Sequence, residues 1–262
     1  MSRSTFAAAF KADYHTVETV ALAEAALKFR PEASFILDIG GQDMKAINLA
    51  GGIVTGIVLN EACSAGCGSF IETYANSLEI PVAEIAEQAF TSPSPAKLGS
   101  RCTIFMNSSI ITEQKNGKTP ADIMAGLCKS IIENVFTKVI RMANLDALGD
   151  SIVVQGGTFK NDAVLRAFEQ FSGKSIVRAP FPGEMGAVGI ALLTKQRLEE
   201  ALERRESRFI GREGLAEFSF SKEPGYVCPY CSNNCNRTLV TFADGSTFIT
   251  GNRCERGEII GD

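Results

Sequence analysis

The 262-residue sequence contains a single histidine, His15, and has few of the features that mark the commonest functional classes. With no second histidine to complete a site, His15 is interpreted as a solvated or capping residue. Its 26 basic and 30 acidic residues give a net charge of −4, so we expect no basic surface for nucleic acid. No run reaches the ~20 apolar residues of a membrane-spanning helix, and residues 1–15 do not resemble a signal peptide. These absences favour a cytoplasmic globular protein without a membrane or nucleic-acid partner.

Eight cysteines are present, and in a reducing compartment they are expected to be thiols or metal ligands. Cys63, in NEACSAGCGSF, and Cys102, in RCTIFMNSSI, each precede a segment with helical character. The unpaired N–H groups at a helix start stabilise a thiolate and any anionic cluster bound to it. Two cysteines are half of the ligands of a [4Fe–4S] cluster, and a twofold dimer would supply the other half. The spacing alone does not exclude a second interpretation, in which both are small buried hydrophobic side chains.

A second group of cysteines follows a change of composition near Glu206, which predicts a division into residues 1–205 and a tail, residues 206–262. The tail contains TLVTF and TFITG around ADGS, which predicts a hairpin. Four thiolates near such a hairpin suit tetrahedral zinc or an iron–sulfur cluster. We therefore predict a second metal, zinc or iron–sulfur, bound by Cys228, Cys231, Cys235 and Cys254.

Three glycine-rich turns lie between alternating strand and helix patterns: LDIGGQDMK, VVQGGTFKND and PGEMGAVGIAL. Paired glycines let backbone N–H groups approach an anion, and a nearby carboxylate can hold Mg²⁺ directly or through water. Each turn alone also fits an ordinary connection, but three together favour one nucleotide site built from separate loops. No Walker A sequence is present, which argues against a P-loop NTPase.

The apolar periodicity predicts a helix over residues 16–29 and then a meander of three strands in ASFILDIGG, MKAINLA and GIVTGIVLN. Helices are predicted over residues 68–78, 82–88 and 120–144, the last with Thr119 as N-cap. Strand, helix, strand and helix follow in SIVVQGG, NDAVLRAFEQF, KSIVRAP and EMGAVGIALLTKQRLEEALERR.

Five motifs, DIGGQDMK, NEACSAGCGSF, RCTIFMNSSI, VVQGGTFKNDAVLRAFE and PGEMGAVGIAL, occur in this order in the activators of 2-hydroxyacyl-CoA dehydratases. From about residue 18 to residue 193 the chain resembles these ATP-dependent reductase components, which belong with the benzoyl-CoA reductase ATPase subunits to the BadF/BadG/BcrA/BcrD ATPase family. The resemblance implies an α/β fold, a ribonuclease-H-like lobe of the actin, heat-shock chaperone and sugar kinase superfamily. The small cysteine-rich hairpin module would follow it.

The resemblance also implies a function. Relatives of this kind are homodimers that bind ATP with Mg²⁺, share one [4Fe–4S] cluster and pass electrons to an iron–sulfur 2-hydroxyacyl-CoA dehydratase or a related CoA-ester reductase. Cys63 and Cys102 match the cluster ligands, whereas Cys67 departs from the pattern and is expected to be a neighbour of the cluster. The residues that match the phosphate, Mg²⁺ and adenosine motifs are Gly40, Gly41, Gln42, Asp43, Gly156 and Gly157.

Members of that family begin with a further strand and an Asp-x-Gly-Ser loop, and no such sequence precedes Asp38. We therefore expect a fragment, or one unit of a larger polypeptide, that lacks the N-terminal phosphate-loop lobe. Without that lobe, ATP hydrolysis by this chain alone is not expected. Two alternatives stay open. One is a small-molecule kinase of the same superfamily, which would have no use for Cys63 and Cys102, and the other is a metal-stapled docking module of a larger enzyme.

Overall fold

A computed structural model describes residues 7–60, 67–100, 103–201 and 206–259 of the chain. The chain divides into two compact units, one of residues 17–193 and one of residues 1–16 together with 194–262. No helix within these described ranges combines the length and the apolar character needed to cross a lipid bilayer.

The larger unit alternates between strands and helices. Short 3₁₀ turns at Val82–Glu84, Leu145–Leu148 and Gly157–Lys160 connect several of them. In chain order the regular elements are α1 (Glu18–Phe29), β1 (Phe35–Ile39), β2 (Met44–Ala50), β3 (Ile53–Asn60), α2 (Gly68–Ser77), α3 (Ile85–Phe90), α4 (Thr103–Lys115), α5 (Pro120–Asn134), β4 (Ile152–Gln155), α6 (Asp162–Ser172), β5 (Ile176–Arg178) and α7 (Met185–Glu200), which continues beyond the unit.

The strands form one sheet in the order β3-β2-β1-β4-β5. The β1–β2 and β2–β3 pairs are antiparallel, which confirms the predicted meander, and the β1–β4 and β4–β5 pairs are parallel. All five residues of the central strand β1 are buried, because both faces of the sheet are covered. Phe35, Leu37 and Ile39 belong to the large core cluster with residues of α2, α5 and α6, and Ile36 belongs to a second cluster with residues of α1.

The longest predicted helix is shorter than its sequence pattern indicated. Thr119 caps α5 as predicted, with Pro120 at the first helical position. The helix then changes to a π turn at Val135–Val139, and Arg141 adopts a left-handed conformation with φ of 55°. The prediction of a helix to residue 144 was therefore wrong at its C-terminal end, since a left-handed residue stops helical hydrogen bonding.

The smaller unit is built on an antiparallel sheet of β6 (Phe220–Val227), β7 (Asn236–Phe242) and β8 (Thr247–Thr250), preceded by a short helix, α8 (Gly211–Ala216). The predicted hairpin is confirmed as β7 and β8, and its turn includes Gly245 at φ of 79°. Strand β6 was not predicted. A 3₁₀ turn, Glu255–Glu258, follows β8.

Candidate functional site

A cleft of about 320 Å³ lies in the larger unit, at the carboxyl ends of the neighbouring parallel strands β1 and β4. Such an edge of a parallel sheet is the usual ligand site of open α/β folds. The loops after β1 and β4 and the loop before α7 all contribute to it. Its lining includes Glu18, Asp38, Gly40, Asp43, Gly156, Gly157, Gly183 and Gly186. The structure thus brings four predicted site residues, Gly40, Asp43, Gly156 and Gly157, to one cleft, while Gly41 and Gln42 are exposed in the first loop.

The two glycines after β4 have different roles in the backbone. Gly156 has φ of 92°, and a Cβ atom there would lie 2.3 Å from the Ile39 carbonyl oxygen. Its N–H donates to the carbonyl oxygen of Pro182 at 2.6 Å, which ties the turn to the loop before α7. Gly157 has no neighbour within 4 Å of the position of a Cβ atom. Gly156 is therefore required by the close packing of β1 and β4, whereas Gly157 leaves open space beside the cleft.

The loop after β1 turns its carbonyl groups toward α2. The Gly40 oxygen accepts from the Gly68 N–H at 2.9 Å, and the Gly41 oxygen accepts from the Ser69 N–H at 2.8 Å. In a trans peptide the N–H points opposite to the carbonyl of the preceding residue. The N–H groups of Gly41 and Gln42 are therefore directed away from α2, as a pair of adjacent donors suited to an anion.

A row of polar side chains crosses the sheet beneath this loop. Asp38 of β1 lies opposite Lys45 of β2 on one side and opposite Gln155 of β4 on the other, and all three are buried. Lys45 Nζ contacts Asp43 Oδ2 at 2.5 Å and Glu18 Oε2 at 3.2 Å. The lysine therefore links the buried row to the acidic residues that line the cleft.

Burial shifts the titration of this row. Burial raises the pKa of Asp38 to about 7, and the charges of Glu18 and Asp43 add to this rise. The charge of Lys45 and the hydrogen bond from Gln155 act in the opposite direction. Burial lowers the pKa of Lys45, but the Asp43 hydrogen bond and the charges of Glu18, Asp43 and Asp38 outweigh it, so the pKa is raised overall. A carboxyl with a pKa near neutrality in a cleft is a common feature of functional sites.

These groups fit a magnesium–nucleotide complex. Asp38 and Asp43 offer the oxygen ligands that Mg²⁺ prefers, and the Gly41 and Gln42 amides suit a phosphate oxygen. Gln155 Oε1 is buried and accepts no hydrogen bond from the residues placed in the structure. Asp38 was not among the site residues predicted from sequence. The signal for it is a carboxylate at the end of an otherwise apolar, fully buried strand.

The two predicted cluster ligands, Cys63 and Cys102, lie outside the described residues. Cys102 directly precedes Thr103, where α4 begins, and Cys63 lies in the segment before α2. Cys67 is the N-cap residue of α2 and is buried. Cys128 lies inside α5, where burial raises the pKa of its thiol to about 12 and makes it unreactive.

Cys228, Cys231 and Cys235 lie in the loop that connects β6 to β7, and Cys254 lies in the segment after β8. The Cys228 N–H donates to the Cys235 carbonyl at 2.9 Å, so these two residues face each other across the pair. Cys228 is buried, Cys235 is half-buried, and Cys231 and Cys254 are exposed. Over the described ranges, no three Cys, His, Asp or Glu side chains converge as a ligand set. The four-cysteine metal site therefore stays a prediction.

Comparison with known proteins gives the family. The sequence model of the BadF/BadG/BcrA/BcrD ATPase family matches residues 1–194. The chain is 35% identical over 162 residues to the (R)-2-hydroxyglutaryl-CoA dehydratase activating ATPase of Acidaminococcus fermentans, covering 62% of this chain and 61% of that protein. It is 36% identical over 164 residues to the activator of lactoyl-CoA dehydratase of Anaerotignum propionicum, covering 62% and 61%. The chain thus spans about six-tenths of the length of these curated relatives.

Two solved structures are similar to the chain. The component A of the A. fermentans dehydratase superposes with a TM-score of 0.66 at 31% identity, covering 72% of this chain and 71% of that one. The Clostridium difficile activator of 2-hydroxyisocaproyl-CoA dehydratase, with bound ADPNP, gives a TM-score of 0.65 at 28% identity, covering 74% and 73%. With the observed strand order, these matches confirm the predicted fold class, the ribonuclease-H-like lobe of the actin, heat-shock chaperone and sugar kinase superfamily.

Proposed function

The chain belongs to the BadF/BadG/BcrA/BcrD ATPase family, and we propose that it is part of an ATP-dependent iron–sulfur electron-transfer activator. Its partner would be an iron–sulfur 2-hydroxyacyl-CoA dehydratase or a related CoA-ester reductase. The observation that carries this proposal is the cleft in which three glycine-rich loops meet around Asp38 and Asp43. Two named activators among its relatives, and a bound ATP analogue in a similar solved structure, support it.

The residues of the cleft would divide the work of holding ATP and Mg²⁺. The N–H groups of Gly41 and Gln42 would donate to phosphate oxygens, and Asp38 and Asp43 would hold Mg²⁺ directly or through water. The open space beside Gly157 would accept the adenosine. ATP, when bound, supplies the free energy of hydrolysis. The chain would position the phosphates of ATP at the edge of the sheet.

Cys63 and Cys102 are proposed to hold the iron–sulfur cluster from two helix starts, in a homodimer to which each subunit gives two ligands. The support is their position: α4 begins at the residue after Cys102, and α2 begins shortly after Cys63. Helix N-termini favour thiolates and anionic centres. The cluster, when bound, supplies the redox chemistry, and the chain supplies the thiolates and the electrostatic setting.

We also propose that the smaller unit binds a second metal, zinc or iron–sulfur, through Cys228, Cys231, Cys235 and Cys254. The backbone pairing of Cys228 with Cys235 supports this. Cys254 follows β8, and Arg237 of β7 donates to the Gly257 and Ile259 carbonyls at 2.9 and 3.0 Å, which holds the segment after Cys254 against the sheet.

Gly157→Val tests the nucleotide site. No atom lies within 4 Å of a Cβ atom at this position, so the fold should tolerate the change, while the isopropyl group enters the space proposed for adenosine. We expect ATP affinity, measured by calorimetry on the full chain, to fall about tenfold or more, because backbone approach is blocked. Gly56→Val in β3, away from the cleft, is the matched control and should keep the affinity. Equal ATP affinities for Gly157→Val and the unchanged chain would contradict the assignment.

A further inference from the structure

Three chain segments meet at one carbonyl group, that of Gly40. It accepts the N–H of Gly68, the first residue of α2, at 2.9 Å, and the hydroxyl of Thr158 at 3.0 Å. Thr158 lies in the 3₁₀ turn after β4 and is largely buried. The loop after β1, the turn after β4 and the start of α2 are therefore joined by two hydrogen bonds to a single oxygen.

The packing at this junction is tight enough to transmit a displacement. A Cβ atom on Gly68 would lie 2.4 Å from Thr158 Oγ1 and 3.4 Å from the Gly40 oxygen. Close-packed groups of this kind do not move independently, since overlap on one side must be relieved on the other. We therefore expect a shift of the Gly40 loop by a fraction of an ångström to displace the first turn of α2 as well.

The start of α2 depends on this loop for its hydrogen bonds. The N–H groups of Gly68 and Ser69, the first two residues of the helix, donate to the Gly40 and Gly41 carbonyls. A helix leaves four N–H groups without intrahelical partners, and here two of them are satisfied by the loop proposed to hold phosphate.

We propose that Thr158 is a positioning residue that couples occupancy of the nucleotide cleft to the order of the first turn of α2. This inference rests on the proposed function. Nucleotide on the Gly41 and Gln42 amides would fix the loop, the Thr158 hydroxyl would keep the Gly40 carbonyl aimed at the Gly68 N–H, and the helix start that follows Cys63 would be held. The hydroxyl is the side-chain group at this junction that can be removed without changing the backbone.

Hydrogen exchange on the full chain tests the coupling, with a non-hydrolysable ATP analogue and Mg²⁺ as the probe. In the unchanged chain the analogue should slow exchange in peptides covering residues 67–77 about tenfold, because the loop that bonds their amides is fixed. Thr158→Val keeps the shape of the side chain but removes the donor. It should keep analogue affinity within about threefold and reduce the analogue-dependent slowing to less than about twofold. Thr158→Ser should restore the slowing.

A matched control lies on α2 itself. The Thr73 hydroxyl donates to the Ser69 carbonyl within the helix, so Thr73→Val removes a comparable bond without touching the loop and should keep the slowing. Should Thr158→Val fail to fold by circular dichroism, Thr158→Ala removes the same donor without adding volume and should give the same loss.

Full slowing in Thr158→Val overturns the inference. So does analogue binding that leaves exchange in α2 unchanged, and in that case the proposed function stands. If the unchanged chain binds no analogue at all, the proposed nucleotide site falls and the coupling falls with it.

Discussion

Asp38 is a carboxyl buried between a lysine and an amide, and its titration makes a prediction about stability. Its pKa in the folded chain is raised from 3.8 to about 7, mainly by burial. The native state therefore favours the protonated carboxyl, and this preference contributes to the free energy of unfolding. The contribution is fully present below about pH 4 and is lost as the pH rises to 7. Asp38→Asn keeps a neutral side chain at every pH, so its stability relative to the unchanged chain should increase between pH 4 and 7.

Urea unfolding of both chains across this range measures the difference. Lys45, Glu18, Asp43 and Gln155 surround the carboxyl and are present in both chains, so their own contributions largely cancel. A difference in the free energy of unfolding that stays constant from pH 4 to 8 would contradict the raised pKa.

The residues of the cleft differ in how far they could be predicted from the sequence. Gly40, Gly156 and Gly157 could be named from the sequence because glycine pairs after apolar strands are a local signal, and Asp43 because it belongs to the same motif as the first pair; all four line the cleft. The role of Asp38 depends on register, since only the pairing of three strands places it between Lys45 and Gln155. The contact with Lys45 follows from the local meander, but the β1–β4 pairing brings Asp38 to Gln155 from more than a hundred positions away, and no local pattern encodes that contact.

Helix α5 is fixed at its start by a reciprocal cap. The Asp122 N–H donates to Thr119 Oγ1 at 3.2 Å, and the Thr119 N–H donates to Asp122 Oδ2 at 3.1 Å. The Ser92 hydroxyl donates to the same carboxylate at 2.6 Å. The hydrogen bond from Ser92 is the main cause that lowers the pKa of Asp122 to about 2. The hydrogen bonds from Thr119 and from the Ser94 N–H also lower it, whereas burial acts in the opposite direction.

We predict that Asp122→Asn lowers stability at pH 7 and weakens the acid sensitivity of the fold. A carboxyl with a lowered pKa contributes stability above its ordinary value of 3.8, and this is lost as pH falls through about 2. Thermal unfolding at pH 7 and at pH 2 should therefore show a lower midpoint for the variant at pH 7 and a smaller difference at pH 2. Asp146→Asn, at the start of an exposed 3₁₀ turn, is a suitable control.

Where the sequence pattern failed for single elements, the cause is structural. Strand β6 includes Pro224 and Gly225, residues that argue against a strand, and the structure accommodates them at an edge position with an irregular register between Pro224 and Tyr226. The C-terminal end of α5 was overextended because apolar spacing continues through the π turn, which periodicity does not distinguish from α-helix. The meander and the β4–α6–β5 segment were predicted correctly because short strands there are bounded by glycine turns.

The two units are expected to respond differently to metal removal. The smaller unit has a small apolar core of Ala9, Val240 and Phe242, with few partly buried neighbours. A metal held by the four tail cysteines would supply much of its folding free energy. We predict that a strong chelator increases hydrogen exchange in β6, β7 and β8 while leaving β1 and β4 unchanged.

Cys231→Ser should reproduce this effect without chelator, and its exposed position means that lost packing does not explain it. Unchanged exchange in β6 to β8 after metal removal, together with full metal loss by elemental analysis, would show that the tail fold does not depend on a metal.

The proposed iron–sulfur cluster is shared between two chains, and iron content measures whether Cys63 and Cys102 bind it. One [4Fe–4S] cluster per dimer corresponds to about two iron atoms per chain. After anaerobic preparation, Cys63→Ser and Cys102→Ser should each lose about that amount of iron and acid-labile sulfide relative to the unchanged chain, with circular dichroism preserved. Cys67→Ser should lose less, because Cys67 is the buried N-cap of α2 and is not proposed as a ligand. Iron content that is the same in all four chains would remove Cys63 and Cys102 as ligands and would favour the small-molecule kinase, which has no use for them.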